Sequence, residues 1–303
     1  MSLGVLNNIA AVYAENNLNA TQSSLQTTLQ QLSSGSRINS GADDAAGLSL
    51  ANGLQANSAA LTQSSTNASE GVGLLQVADG ALSQVTNLLN RAVTLATEVS
   101  NGTLNATQDS AANSEFQSIL DEISNIGSTT TYNGQTVFGG SFQIFSGDGT
   151  AGGGFADTIK LAALSSAAVG DSTGSGGLVY TPGAGATSTL VYTPVAANSK
   201  NLSADNLNTA ASAQTALNDI YSAIQDVAAE RGYTGSQINT LNAVSNVAST
   251  EQTNVTSAEN SIMATDYASA TSNLSKYEIL SQTGISALAQ ANSTQQLVLK
   301  LLQ

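Results

Sequence analysis

Apolar residues return every seventh position over most of this chain. Near the N-terminus Leu18, Leu25 and Leu32 lie at steps of seven, with Leu29 four after Leu25. That one-sided spacing predicts an amphipathic helix. The run "SSGSRINSG" at 33–41 ends it, because Gly35 and Gly41 bracket a Ser/Asn cluster. A second helix is predicted to start near Asp43 and Asp44, whose carboxylates suit the positive end of a helix dipole. Adjacent helical residues point roughly 100° apart, so the two aspartates do not share a site. Beyond them Leu54, Leu61, Ala68, Leu75, Leu82, Leu89 and Ala96 form an unbroken column at steps of seven. A mixed partner column reads Ala51, Ser58, Ser65, Val72, Asp79, Thr86 and Val93. Such a pair of columns predicts a bundle or coiled-coil seam. A helix over 45–99 would be roughly 80 Å long. "SNGTLNA" at 100–106 ends it, and Phe116, Ile119, Ile123 and Ile126 mark a shorter helix.

The pattern then changes. "TTTYNGQTVFGGSFQIF" at 129–145 places Asn-Gly between β-prone flanks, a strong hairpin signal. Residues 146–202 are rich in Gly, Ser and Thr, with short β-like pieces around Ile159 and Leu161. Both prolines fall in an internal repeat, "LVYTP" at 178–182 and 190–194, which suggests a small surface hairpin or lobe. Helical spacing resumes at about residue 204 with Ala213, Ile220, Val227, Thr234, Leu241, Ala248, Val255 and Ile262. Leu274, Tyr277, Leu288, Ala291, Val298 and Leu302 carry the three-four spacing to the C-terminus, where Leu301 adds to an apolar end. The predicted fold is mainly α: a long antiparallel helical bundle or coiled coil built from the N- and C-terminal halves, with a small β-rich central region.

Composition narrows the function. The chain has 303 residues, of which only 9% are charged, and it contains no Cys, His or Trp. Without Cys there are no disulfides or thiolate metal sites, and without His the commonest general base and transition-metal ligand are missing. "SGDGTAGGG" at 146–154 lacks the alternating ligands and closing Glu of a calcium loop, and no Gly-rich loop is followed by Lys as a phosphate loop requires. The sequence therefore predicts no catalytic residue, no cofactor and no metal, and the chain does not read as an enzyme. A net charge of −14 argues against nucleic-acid or anionic-membrane partners. Residues 1–40 hold only Glu15 and Arg37, and 261–303 only Asp266, Lys276, Glu278 and Lys300, so each end sums to zero. Near-neutral ends with apolar stripes suit burial against other chains. No basic segment opens a secretory signal, and no apolar run approaches the ~18 residues that span a bilayer.

Several stretches resemble bacterial flagellins, the filament subunits. In the N-terminal half these are "LSSGSRINSGADDAAGLSLANGL" (32–54), "LLQVADGALSQVTNLLNRAVTLA" (74–96), "NGT" (101–103) and "TTTYNGQTVF" (129–138). In the C-terminal half they are "ALNDIYSAIQDVAAERGYTGSQINTL" (216–241), "AENSIMATDYASATSNLSKYEIL" (258–280) and "QANSTQQLVLKLLQ" (290–303). "SGADDAAG" and the leucine-rich end favour flagellin over the hook–filament junction protein, the alternative reading together with other secreted helical interaction proteins.

The resemblance implies an inner core coiled coil from 1–41 with 261–303 and an outer core helical domain from 42–170 with 203–260. It leaves 171–202 as a short surface-exposed insert. It implies assembly into a helical homopolymer through Leu18, Leu25, Leu32, Leu288, Val298, Leu301 and Leu302. Implied partners are an export chaperone and the type III export apparatus, hook-associated junction and cap proteins, and the flagellin-sensing Toll-like receptor. The matching receptor positions are Arg91, Leu95 and Glu115, although Ala92, Val93 and Thr94 depart from the usual Val-Arg-Glu. The implied location is the extracellular flagellar filament.

Overall fold

The computed structural model describes residues 8–147, 156–169, 177–181, 189–193 and 201–301, with no side-chain detail at 156, 177–181, 189–193, 295 and 297–301. Leu302, residues 148–154 of the Gly-rich turn and most of the 171–202 insert lie outside the described residues, and Val298 and Leu301 are described as backbone alone. The elements are α1 (Ile9–Ser34), α2 (Ala45–Ser100), α3 (Ala106–Thr129), β1 (Thr131–Tyr132), β2 (Gln135–Thr136), β3 (Ser141–Phe145), β4 (Ala156–Lys160), β5 (Gly177–Thr181), β6 (Thr189–Thr193), α4 (Ala210–Met263) and α5 (Tyr267–Leu301). The chain divides into two compact units, 1–56 with 254–303 and 57–253.

Local chemistry sets the helix ends. Asn8 caps α1, its Oδ1 accepting from the Ala11 amide at 3.1 Å. Gly35 closes the same helix in the left-handed region at φ 71°. The start of α2 differs in detail from expectation. Asp44 is the residue before its first turn and accepts from the Gly47 amide at 2.8 Å, whereas Asp43 reaches back to the Asn39 and Ser40 amides. Those backbone bonds hold the Asp43 carboxyl below its usual range. A reciprocal Asn105–Gln108 box opens α3. Helix α4 begins at Ala210, later than the predicted 204. A short 3₁₀ turn over Leu202–Ala204 intervenes, buried Leu202 and Leu207 pin the segment, and Thr209 and Ser212 cap each other's amides at 3.1 Å.

In the 57–253 unit the predicted α2 column is the core: Leu61, Ala68, Leu75, Leu82, Leu89 and Ala96 are buried. Its companion is a different column from the one expected. Ser64, Gly71, Ala78, Val85, Ala92 and Val99 are buried, while Ser58, Ser65, Val72, Asp79, Thr86 and Val93 are only half-buried. Small side chains win those positions because neighbours come close. A Cβ on Gly71 would lie 2.0 Å from Ile144 Cδ1 and 2.9 Å from Leu241 Cδ1. Phe116, Leu120 and Ile123 of α3 and Ile220, Val227 and Leu241 of α4 complete the core. Asp79 instead binds Arg231 of α4 at 2.8 Å, which raises the guanidinium pKa.

The predicted Asn-Gly hairpin is present as β1–β2, with Asn133 at φ 49° and Gly134 at φ 77°, the positive pair that a tight two-residue turn requires. Strands β3 and β4 pair antiparallel from Ser141↔Lys160 to Phe145↔Ala156 and send Ile144 and Ile159 into the core. Buried Glu230 on α4 accepts from the Ala162 amide at 3.0 Å, fixing the chain just after β4 to the helix. The strands β5 and β6 form the hairpin suggested by the LVYTP repeat.

Candidate functional site

The 1–56 with 254–303 unit is built on the pairing of α1 with α5. Helices α1 and α5 run antiparallel: Asn8 Nδ2 donates to the Ala291 carbonyl at 3.0 Å, Leu18 packs where Gly284 lacks a side chain, and Thr265 Oγ1 donates to the Gln31 carbonyl at 3.3 Å. Among the half-buried or buried positions one series alternates by three and four: Ala11, Ala14, Leu18, Thr21, Leu25, Thr28 and Leu32 on α1, and Ala270, Leu274, Tyr277, Ser281, Gly284, Leu288 and Ala291 on α5, with Ser24, Gln31 and Ser293 half-buried beside it. That is an antiparallel coiled-coil seam with small residues interleaved among leucines.

Leu18, Leu25, Leu32 and Leu288 thus line the seam between two helices of one chain. Leu29 does not; the seam passes through Thr28, whose hydroxyl is satisfied by the Ser24 carbonyl at 2.9 Å. Away from the seam both helices keep large apolar side chains in solvent. Ile9 is 62% exposed, Tyr13 67%, Ile279 62% and Ile285 55%, with Val12, Leu29 and Leu280 exposed beside them. Periodicity alone does not reveal these residues, because they fall outside the seven-residue columns. Their signal is the near-absence of charge on the outward faces: Glu15 is the one charged residue of α1.

A knot of bonds holds the base of the pair. Ser36 and Ala264 form an isolated bridge, the Arg37 amide donates to the Met263 carbonyl at 2.6 Å, and Arg37 Nη2 donates to the Ile262 carbonyl at 3.0 Å. The guanidinium therefore sits at the negative end of α4. Gly35 is doubly constrained here, since an added Cβ would lie 2.8 Å from the Tyr267 hydroxyl and would have to adopt positive φ. We expect Gly35→Ala to destabilise this unit by about 1–2 kcal/mol, read as earlier loss of helical signal on heating.

The three positions aligned with the receptor surface separate. Arg91 Nε donates to Glu115 Oε1 at 2.7 Å, and both side chains are about half exposed, 53% and 46%. The hydrogen bond lowers the Glu115 pKa and raises that of Arg91. Leu95 is buried, at 3% exposure, in the helical core.

Nothing among the described residues gathers into reaction chemistry. Among the described residues no group of three or more acidic residues could hold a metal ion, and no helix is long and apolar enough to cross a membrane. Burial raises the Asp157 carboxyl and, in larger part than its neighbours Asp157 and Glu230, the Tyr233 hydroxyl, but Tyr233 bonds the Lys160 backbone and Gln237 as a packing group. A cleft lined by Asn67, Glu70, Tyr132, Phe142 and Phe145 holds one carboxylate and no basic side chain.

Comparison with known proteins assigns this architecture. The bacterial flagellin N-terminal helical region matches residues 5–143, and the bacterial flagellin C-terminal helical region matches 217–302. The chain is 33% identical over 297 residues to flagellin of Halalkalibacterium halodurans, covering 98% of both. The chain belongs to the flagellin family. It is also 38% identical over 156 residues to flagellin A of Vibrio cholerae, a match spanning 50% of this chain and 41% of that one. Among solved structures it is similar to Bacillus cereus flagellin, at 27% identity and a TM-score of 0.44 over 60% of this chain and 88% of the other. As a flagellin-family chain it is a structural subunit of the extracellular flagellar filament, and it self-assembles. The unmatched stretch, 144–216, contains β4, β5 and β6.

Proposed function

We propose that copies of this chain polymerise by burying the outward apolar faces of α1 and α5 against neighbouring copies, while the leucine seam joins α1 to α5 within each copy. The observation that carries this reading is the exposure of Ile9, Val12, Tyr13, Ile279 and Ile285 on helices almost without charge. Fully burying a side chain of this size contributes about 1.5–3 kcal/mol, so a handful contributes on the order of 10 kcal/mol. That is comparable with the roughly 4–15 kcal/mol lost in translational and rotational freedom on association. Contacts with several neighbours at once therefore favour the polymer over a dimer. Val298, Leu301 and Leu302, the apolar residues of the C-terminal sequence, are proposed to be buried on assembly as well.

The reading takes 1–41 with 261–303 as an inner core, 42–170 with 203–260 as an outer core, and 171–202 as a surface insert. The composite N- and C-terminal compact unit supports the first of these. The chain does no chemistry of its own, which the lack of His and Cys supports. It is exported uncleaved through the flagellar type III apparatus with a chaperone, and meets hook-associated junction and cap proteins at the filament ends. Of the receptor-aligned residues, Arg91 and Glu115 are the two open to a Toll-like receptor.

Because the chain has no cysteine, a single introduced thiol reports burial cleanly. Tyr13→Cys and Ile279→Cys should react readily with a maleimide in the monomer. We expect labelling to slow about tenfold or more in filaments, since reaction requires access to the thiolate. Equal labelling rates in the two states would contradict the proposed faces.

A further inference from the structure

The LVYTP repeat lies outside the helices, and its backbone pairing is informative. In the hairpin Leu178 lies opposite Tyr192, Val179 opposite Val191, and Tyr180 opposite Leu190. The segment Leu-Val-Tyr-Thr is therefore paired antiparallel with a second copy of itself, about a local twofold through Val179 and Val191. Strand β6 also runs beside β4, whereas β5 is laddered to β6 alone among the described residues. Among the described residues β5 is therefore the outer strand. An outer strand offers a row of backbone donors and acceptors as a template for another chain. Native edges are usually blunted by charge, but residues 177–193 contain no Lys, Arg, Asp or Glu.

We propose that the outer edge of β5 pairs antiparallel with β5 of a second copy of this chain, Val179 opposite Val179. The register follows from the repeat. With Val179 on the twofold, Leu178 lies opposite Tyr180 and Tyr180 opposite Leu178, the same three residue pairs that β5 makes with β6. At the ends Gly177 meets Thr181, where the hairpin has Gly177 opposite Thr193. A slip of one residue would set Leu and Tyr against Val and invert every face, so the matched register is favoured. The product is a four-stranded sheet in the order β6–β5–β5–β6 across two chains, a strand-addition contact in which backbone bonds give strength and the repeat gives selectivity for self. Its residues belong to the 57–253 unit and are none of those on the outward faces of α1 and α5.

Single cysteines in the full chain test the register. Directly opposed residues of antiparallel strands have Cβ atoms about 4.5–5.5 Å apart, close to the spacing a disulfide bridges. Thr181 would face its counterpart at an offset of four residues, about 13 Å along the strand. Val191→Cys is the stringent control, with the same residue replaced in the same local sequence on the inner strand. On mild oxidation we expect Val179→Cys to give about tenfold more disulfide-linked dimer than Thr181→Cys or Val191→Cys. In the unmodified chain, amides of 177–181 should gain hydrogen-exchange protection as concentration rises. Equal cross-linking at Val179 and Val191 would overturn the edge assignment, and preference for Thr181 would overturn the register. Absence of dimer from Val179→Cys, with exchange independent of concentration, would overturn the contact itself.

Discussion

A chain lacking residues 290–303 is expected to remain monomeric when seeded with fragments of unmodified filaments, while the full chain elongates them. The deletion removes Ala291, whose carbonyl anchors Asn8 at the start of α1, and the final turns of α5. An isolated helix gains little in water without a packed face, so both the end of α5 and the start of α1 should fray. The frayed start of α1 contains Ile9, Val12 and Tyr13, the exposed side chains nearest that anchor. One deletion thus removes part of the seam and disorders part of the outward face. Electron microscopy after seeding checks the result, with loss of growth of at least about a hundredfold, as expected if roughly 3 kcal/mol of burial is lost at the interface. The 57–253 unit should keep its helical signal, since its core uses none of the deleted residues.

The second large effect concerns folding. A Cβ on Gly127 of α3 would lie 1.9 Å from the Leu164 carbonyl oxygen and 2.8 Å from the Leu164 carbonyl carbon. Alanine usually gains about 1 kcal/mol over glycine within a helix. Here the clash is with backbone, which has no rotamer to yield, so the segment after β4 must move away from the helix. Overpacking of this kind costs about 1–3 kcal/mol and displaces buried Leu161 and Leu164 as well. We therefore expect Gly127→Ala to lower thermal stability despite its better helix propensity, and Gly127→Val to lower it further. Unchanged or raised stability in Gly127→Ala would show that the 161–169 segment adapts freely.

Legibility in the sequence followed the physics of each element. The column from Leu61 to Ala96 was readable because burial there is hydrophobic and periodic. The column of Ser64, Gly71 and Ala78 was not, because close approach rather than hydrophobicity selects those residues. Asn133-Gly134 identified its hairpin since few other dipeptides accept two positive φ angles. The beginning of α4 slipped from 204 to 210, as a buried leucine pair with Asn, Thr and Ser caps resembles the start of a helix in composition. In the terminal unit the leucine heptads marked the seam within the chain. The outward faces carried no periodic signal, and their meaning came only from the solvent exposure of Tyr13, Ile279 and Ile285.

Seeded growth of the double variant Val12→Glu and Ile285→Glu asks whether copies join through the outward faces of α1 and α5. Both side chains are exposed in the single chain, and glutamate is a good helix former, so the α1–α5 pair should fold as before. Each carboxylate would have to be desolvated in the filament without a designed partner. Unchanged circular dichroism with no elongation of seeds is the expected result. Filaments that grow at the parental rate, from a chain with intact helices, would contradict it.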